Sequence, residues 1–62
     1  MTDLELQEIA LRMVEKGYCD HDTIRYCDDL YDATTEEKEK CLEFVDEVIE
    51  GGTAVYRANL NL

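Results

Sequence analysis

Residues 34–52 read TTEEKEKCLEFVDEVIEGG, and this stretch decides the fold. Thr34 and Glu37 have the spacing of a capping box, in which each side chain binds a free backbone N–H at the start of a helix. Apolar residues then recur at helical intervals as far as two glycines, which favour a helix end. This pattern predicts a helix over residues 35–50. Its apolar stripe consists of Cys41, Leu42, Phe44, Val45, Val48 and Ile49.

The beginning of the chain predicts a second long helix in the same way. Thr2 and Glu5 repeat the capping-box spacing, and a glycine follows the last apolar position. Leu4 and Leu11 widen the apolar arc to more than half of the helix circumference. We therefore expect a helix over residues 3–16 that contacts either two helices of its own chain or one of them and a second subunit.

Between these two helices, residues 22–32 predict a short helix that frays. Its apolar face holds Ile24 and Leu30, and aspartates crowd its carboxyl end, where the helix dipole disfavours negative charge. Connections of about four residues or fewer favour antiparallel neighbours. We expect helices 3–16 and 35–50 to form the main antiparallel pair.

After Gly52 the pattern changes to a period of two, which is typical of an extended segment. We predict one helical domain over residues 1–52 and an extended or disordered tail over residues 53–62, which could pair with its twin in a dimer or add to a partner as a strand. The predicted fold class is all-α: a small three-helix bundle, or a helical hairpin with a short extra helix, and an extended tail. The alternating apolar positions of this tail are Ala54, Tyr56, Ala58, Leu60 and Leu62.

Composition narrows the range of possible functions. The chain has 62 residues, with 16 Asp and Glu against 6 Lys and Arg, and a net charge of −10. Such a charge disfavours direct binding to nucleic acid or to an anionic membrane, since both are polyanions. With no apolar run long enough to span a membrane and no signal-peptide pattern, we expect the cytoplasm, where three cysteines remain reduced.

Zinc is the first chemistry to weigh, because Cys19, His21, Cys27 and Cys41 are zinc-ligand types. No C-x-x-C pair is present, and Cys27 and Cys41 fall on apolar stripes, which is typical of core cysteines. Cys19 and His21 could pair as nucleophile and base, but nothing nearby would orient the imidazole. We expect no catalytic residue, no metal and no cofactor.

Carboxylates form the best candidate site. Acidic residues share one side of the predicted helix 35–50, and more of them lie on the preceding helix. They could bind a basic patch on another protein, or they could be a solvated face that keeps the chain soluble. The candidate partner-binding residues are Glu36, Glu39, Glu43, Asp46, Glu47 and Glu50, with Asp28, Asp29 and Asp32.

A second set of residues could contact a twin subunit or the tail. Tyrosine has an apolar body and a polar tip and therefore suits an interface. The wide apolar arc of the first helix and the alternating tail favour a homodimer over a monomer. The candidate contact residues are Leu4, Leu11, Tyr26, Tyr56 and Leu60.

The chain opens Met-Thr-Asp-Leu-Glu-Leu-Gln-Glu-Ile-Ala, is acidic, and has Gly-Gly before a short tail. In size and composition it resembles the small early-region accessory proteins of lambdoid temperate phages. That resemblance implies a non-enzymatic protein in the cytoplasm of an infected bacterium that influences host growth or phage development by binding another protein. It implies no site residue. The alternative function is a nucleic-acid mimic that blocks a DNA- or RNA-binding protein.

Overall fold

A computed structural model describes residues 1–61, and its regular elements are helices. Over those residues there is no strand, so the predicted all-α fold class is confirmed. The second predicted helix is shorter than expected, and a helix that the sequence did not predict follows Gly52. The elements are α1 (Asp3–Glu15), α2 (His21–Arg25), a 3₁₀ turn (Asp28–Leu30), α3 (Thr35–Gly51) and α4 (Thr53–Leu60).

Both predicted capping boxes are formed. The Glu5 backbone N–H donates to the Thr2 hydroxyl at 3.2 Å, and the Thr2 N–H donates to the Glu5 carboxylate at 3.0 Å. Thr34 and Glu37 make the same two bonds at the start of α3, at 3.2 and 2.8 Å. Each box satisfies free N–H groups of a first helical turn, so the sequence located both long helices correctly.

The core lies between α1 and α3, with one residue each from α2 and the 3₁₀ turn. α1 and α3 form the main packing pair, as predicted. Cys41 packs there as an apolar residue, and its Sγ donates to the Leu6 carbonyl at 3.6 Å. The buried side chains are Leu6, Ile9, Ala10, Leu11, Met13, Ile24, Leu30, Cys41, Leu42, Val45 and Val48.

The predicted antiparallel arrangement of the main pair is wrong. Lys40 near the start of α3 bonds Asp3 at the start of α1, with Nζ and Oδ1 2.7 Å apart, and Cys41 meets Leu6 one turn further along. The contacts follow the same order in both helices, so the amino-terminal ends of α1 and α3 lie side by side. Two helices that start at the same end need a returning segment between them.

Residues 16–34, here called the crossover, provide that return. Within it, α2 runs against the direction of α3: the His21 ring contacts Asp46 at 2.8 Å, and the Arg25 guanidinium contacts Glu39 at 2.8 Å. The sequence rule that consecutive short-linked helices are antiparallel therefore holds for α2 and α3. Applied twice, it makes the first and third helices point the same way.

α2 is a five-residue helix, in keeping with the expected weakness of this segment. The Asp20 carboxylate caps its start by accepting from the Thr23 N–H at 3.2 Å. The helix stops at Arg25, and Cys27 is extended with ψ 157°, so the chain resumes only as a 3₁₀ turn. A continuous helix would have placed the aspartates of this segment at its negative end, which the dipole disfavours.

The segment after Gly52 is helical, which corrects the prediction of an extended tail. Gly52 has φ +90°, a conformation that suits glycine, and turns the chain from α3 into α4. Thr53, Tyr56 and Leu60 are half-buried, and their spacing of three and four residues is helical. Packing on α1 and α3 therefore decided between two periodicities that this short segment carries together. Leu62, at the end of the predicted tail, lies outside the described residues.

Candidate protein-interaction surface

Four glutamates form a strip along the outer side of α3, here called the acidic ridge: Glu36, Glu43, Glu47 and Glu50. All four are exposed. At 100° per residue their positions span about 60° of the helix circumference, and at 1.5 Å per residue they extend over about 21 Å. Among the described residues none of the four makes an ion pair. Their negative charge is therefore left for the solvent or for a partner.

Three other predicted partner-binding acids are already used within the chain. Each faces a basic side chain of another element and helps to hold that element in place. Glu39 and Asp29 contribute less negative potential at the surface than the acidic ridge, because an arginine lies next to each of them. The pairs are Glu39 with Arg25 at 2.8 Å, Asp46 with His21 at 2.8 Å, and Asp29 with Arg12 at 3.1 Å.

The two remaining acids of the predicted set, Asp28 and Asp32, are exposed in the crossover. Asp28 starts the 3₁₀ turn, beside Asp29, which is turned toward α1 by its ion pair with Arg12. Asp29 therefore faces α1, whereas the acidic ridge lies on α3.

Four of the six lysines and arginines are committed to ion pairs inside the fold, and Lys16 and Lys38 make none among residues 1–61. The three arginines of the chain each pair with a carboxylate in the described residues, and Lys40 pairs with Asp3. Arg57 of α4 reaches Glu15 at the end of α1, where its Nε lies 3.1 Å from the carboxylate, and this pair raises the pKa of Arg57. A second copy of the chain thus offers little free positive charge to the acidic ridge.

The residues predicted to contact a twin subunit are divided by the structure. Leu4 is 50% exposed and Tyr26 is 77% exposed, so both are accessible. Leu11, in contrast, is only 1% exposed, so of its two predicted contacts, a twin subunit or the tail, the burial disfavours the first. The wide apolar arc of α1 is met within the chain, since α3 and α4 both pack against it. Tyr56 and Leu60 are half-buried parts of α4 on that same core. The homodimer stays a prediction.

Glu37 stabilises the amino-terminal end of the main pair and is not part of the ridge. Its carboxylate bonds the amino-terminal ammonium of Met1 and accepts the Thr34 N–H at 2.8 Å. These two bonds, the ammonium first, lower the pKa of Glu37 to about 2. The same contact raises the pKa of the ammonium.

Cysteine and histidine chemistry is dispersed over the molecule. Cys19 is exposed, Cys27 is half-buried, and burial raises the pKa of the Cys41 thiol to about 11. Among residues 1–61, no three His, Cys, Asp or Glu side chains are grouped so that they could hold a metal ion. His21 instead contacts Asp46 on α3.

A groove of about 430 Å³ lies between the carboxyl end of α1 and the crossover. Its floor includes the buried residues Met13 and Ile24, and Tyr18 and Tyr26 stand at its sides. The sequence pattern did not indicate this groove. The available signal was Tyr26 at the flank of the apolar face of α2, but the break after Arg25, which opens the groove, is a feature of the fold.

Comparison with protein-family models, with curated proteins and with solved structures finds no match to this chain. None of the helices in residues 1–61 is both long and apolar enough to cross a membrane.

Proposed function

We propose that this chain is a small acidic accessory or regulatory protein that acts by binding another protein, and that the acidic ridge contacts a basic patch on that partner. The observation that supports the proposal is the division of charge. The fold uses its arginines in intrachain ion pairs and leaves Glu36, Glu43, Glu47 and Glu50 without an ion pair among residues 1–61. Electrostatic complementarity of this kind speeds association and selects partners of opposite charge.

A basic protein surface suits the ridge better than a second copy does. Two copies facing each other through this strip would bring like charges together, which costs free energy. A partner that presents lysines or arginines at comparable spacing would instead neutralise the strip. The resemblance to phage early-region proteins adds the proposal that the chain is phage-encoded, works in the bacterial cytoplasm and modulates host growth or phage development.

The alternative is that the ridge imitates nucleic acid and blocks a DNA- or RNA-binding protein. Linear charge density decides the ranking. The ridge carries roughly one unpaired carboxylate per 7 Å of helix, whereas a DNA strand carries one phosphate per about 3.4 Å. The strip is therefore a sparse copy of a phosphate backbone, and a general protein contact ranks first.

The proposal is tested by affinity capture from the source cell with the intact chain and with a Glu43→Lys/Glu47→Lys variant. Both substitutions are at exposed positions of α3, so we expect the helix to remain folded in circular dichroism. A partner retained by the wild-type protein should be lost from the variant. Binding should also weaken between low and physiological salt, because the Debye length shortens to about 8 Å.

An Asp22→Lys/Asp32→Lys variant is the charge-matched control, because it changes the net charge equally at exposed positions of the crossover. Equal loss of the partner from both variants would show that only overall charge matters and would contradict the assignment of the ridge. A gel-shift competition with the captured partner then separates the two functions. Displacement of DNA or RNA by this chain favours the mimic, and a partner that binds neither nucleic acid favours the regulatory protein.

A further inference from the structure

We infer that the groove beside the crossover, here called the tyrosine groove, is a second docking site and takes an arginine side chain with apolar neighbours from another protein. This site is separate from the acidic ridge. Its floor is apolar, with Met13 and Ile24 both less than 5% exposed. Tyr18 and Tyr26 stand beside that floor and leave 46% and 77% of their surfaces in solvent. Exposed aromatic rings next to an apolar floor are typical of interface hot spots.

The charges of the groove select the occupant. Two carboxylates, those of Asp28 and Asp29, line it together with the ammonium of Lys16. Asp29 already holds a guanidinium, that of Arg12, at 3.1 Å. Asp28 is exposed and makes no ion pair among residues 1–61, so a carboxylate next to the tyrosines is open to an incoming cation.

Arginine fits this set of groups better than lysine. Its planar guanidinium can stack on a tyrosine ring and donate to a carboxylate in the same pose, whereas an ammonium is a compact and strongly hydrated charge. Its aliphatic stem can lie along the apolar floor. The expected occupant is therefore a segment with an arginine between apolar residues.

A second copy of this chain could supply that residue only by giving up one of its own ion pairs. Arg12, Arg25 and Arg57 are all held in intrachain ion pairs. They join α1 to the 3₁₀ turn, α2 to α3, and α4 to α1. We therefore expect the arginine to come from a different polypeptide, in line with the net charge of −10 on this one.

The test uses the intact chain and a random-peptide display library. Selected peptides should carry arginine beside aliphatic or aromatic residues. A synthetic copy of the most enriched peptide should lose about tenfold in affinity for Tyr26→Leu, the scale of a desolvated cation–π contact. Replacing its arginine with neutral citrulline, or Asp28 with asparagine, should weaken binding similarly.

The chain offers matched controls. Tyr31 is 82% exposed and Asp32 is exposed, and neither lines the groove, so Tyr31→Leu and Asp32→Asn should bind the peptide like the wild-type protein. Glu43→Lys/Glu47→Lys should also bind it, which separates this inference from the acidic ridge. Failure to enrich any peptide, selection without arginine, or binding indifferent to Tyr26 would overturn it.

Discussion

The main helix pair and the crossover differ in almost every structural respect. α1 and α3 have 13 and 17 residues, and each begins with a complete capping box. The crossover holds one helix of five residues and a 3₁₀ turn, and only Ile24 and Leu30 of its side chains are fully buried. Elements with few buried contacts open locally at low cost in free energy. The stable pair therefore presents the acidic ridge, and the weaker segment presents the tyrosine groove.

The largest effect that we expect is in cysteine reactivity. Cys41 lies in the main pair, is buried and has a pKa raised to about 11, whereas Cys19 is exposed in the crossover. Only the thiolate is alkylated, and a buried thiol must first be released by unfolding. At pH 8, iodoacetamide should modify Cys41 on the order of a thousandfold more slowly than Cys19. Mass spectrometry of timed samples measures both rates.

Cys27, which is half-buried in the crossover, should react at an intermediate rate. In concentrated urea the three rates should converge, which is the control for intrinsic reactivity. If Cys27 is as slow as Cys41 in the native protein, the crossover is as stable as the main pair and the comparison is wrong.

Two leucines of α1 compare a buried with an exposed position of the main pair. Leu11 is 1% exposed and Leu4 is 50% exposed. Leu11→Ala should lower the free energy of unfolding by about 2–5 kcal/mol, because it removes buried methyl groups and leaves a cavity. Leu4→Ala, with half of its surface already in water, should cost much less. Urea titrations followed by circular dichroism compare the two, and equal losses would contradict the burial of Leu11.

Removal of the caps of α3 and α2 compares the stability of the two regions, with a smaller expected effect than loss of a buried leucine. Thr34→Ala removes the cap of α3 and should lower the global free energy of unfolding by about 1 kcal/mol. Asp20→Ala removes the cap of α2 and should instead speed amide exchange within residues 21–25, with a smaller global effect. Hydrogen exchange and urea titration together distinguish them. Exchange that speeds up equally in α1 after Asp20→Ala would show that α2 does not open by itself.

The smallest effect concerns pH at the start of the main pair. Glu37 has its pKa lowered to about 2 from an ordinary value of 4.5 by its bonds to the terminal ammonium and to Thr34. A lowered pKa in the folded state gives stability that is present above pH 4.5 and is lost as the pH falls toward 2. Glu37→Gln should flatten the dependence of stability on pH in that window.

Glu43→Gln is the control for this titration, because it removes an exposed carboxylate of the same helix that makes no ion pair among residues 1–61. Unfolding by urea between pH 7 and 2.5 measures all three proteins. A Glu37→Gln protein with the same pH slope as Glu43→Gln would contradict the assigned role of Glu37.

The sequence predicted the long helices because their caps are local. Thr2 bonds Glu5, and Thr34 bonds Glu37, each pair being three residues apart. The end of α1 was likewise readable, since Gly17 adopts φ +95° and the Tyr18 N–H donates to the Met13 carbonyl at 3.0 Å. The features that could not be predicted from the sequence are those that result from packing between distant segments.

α4 shows this limit most clearly. Tyr56 and Leu60 fit either periodicity, and only contact with α1 and α3 makes them a half-buried helical pair. The predicted orientation of α1 and α3 was wrong because a rule for consecutive helices was applied to two helices that have α2 between them in the sequence. Of the candidate surface, the exposed glutamates were predictable from their spacing on α3. Their separation from Asp29 was not, because it depends on the ion pair with Arg12.

The shared direction of α1 and α3 also has a consequence for how the chain folds. The contacts that align the two helices join residues 35–37 positions apart, such as Leu6 with Cys41. A helix forms in about a microsecond or less, but these contacts must first close a loop through the whole crossover. During synthesis the apolar arc of α1 therefore remains uncovered until α3 has been made. The folding rate should then respond more to the length and stiffness of the crossover than to helix propensity in α1.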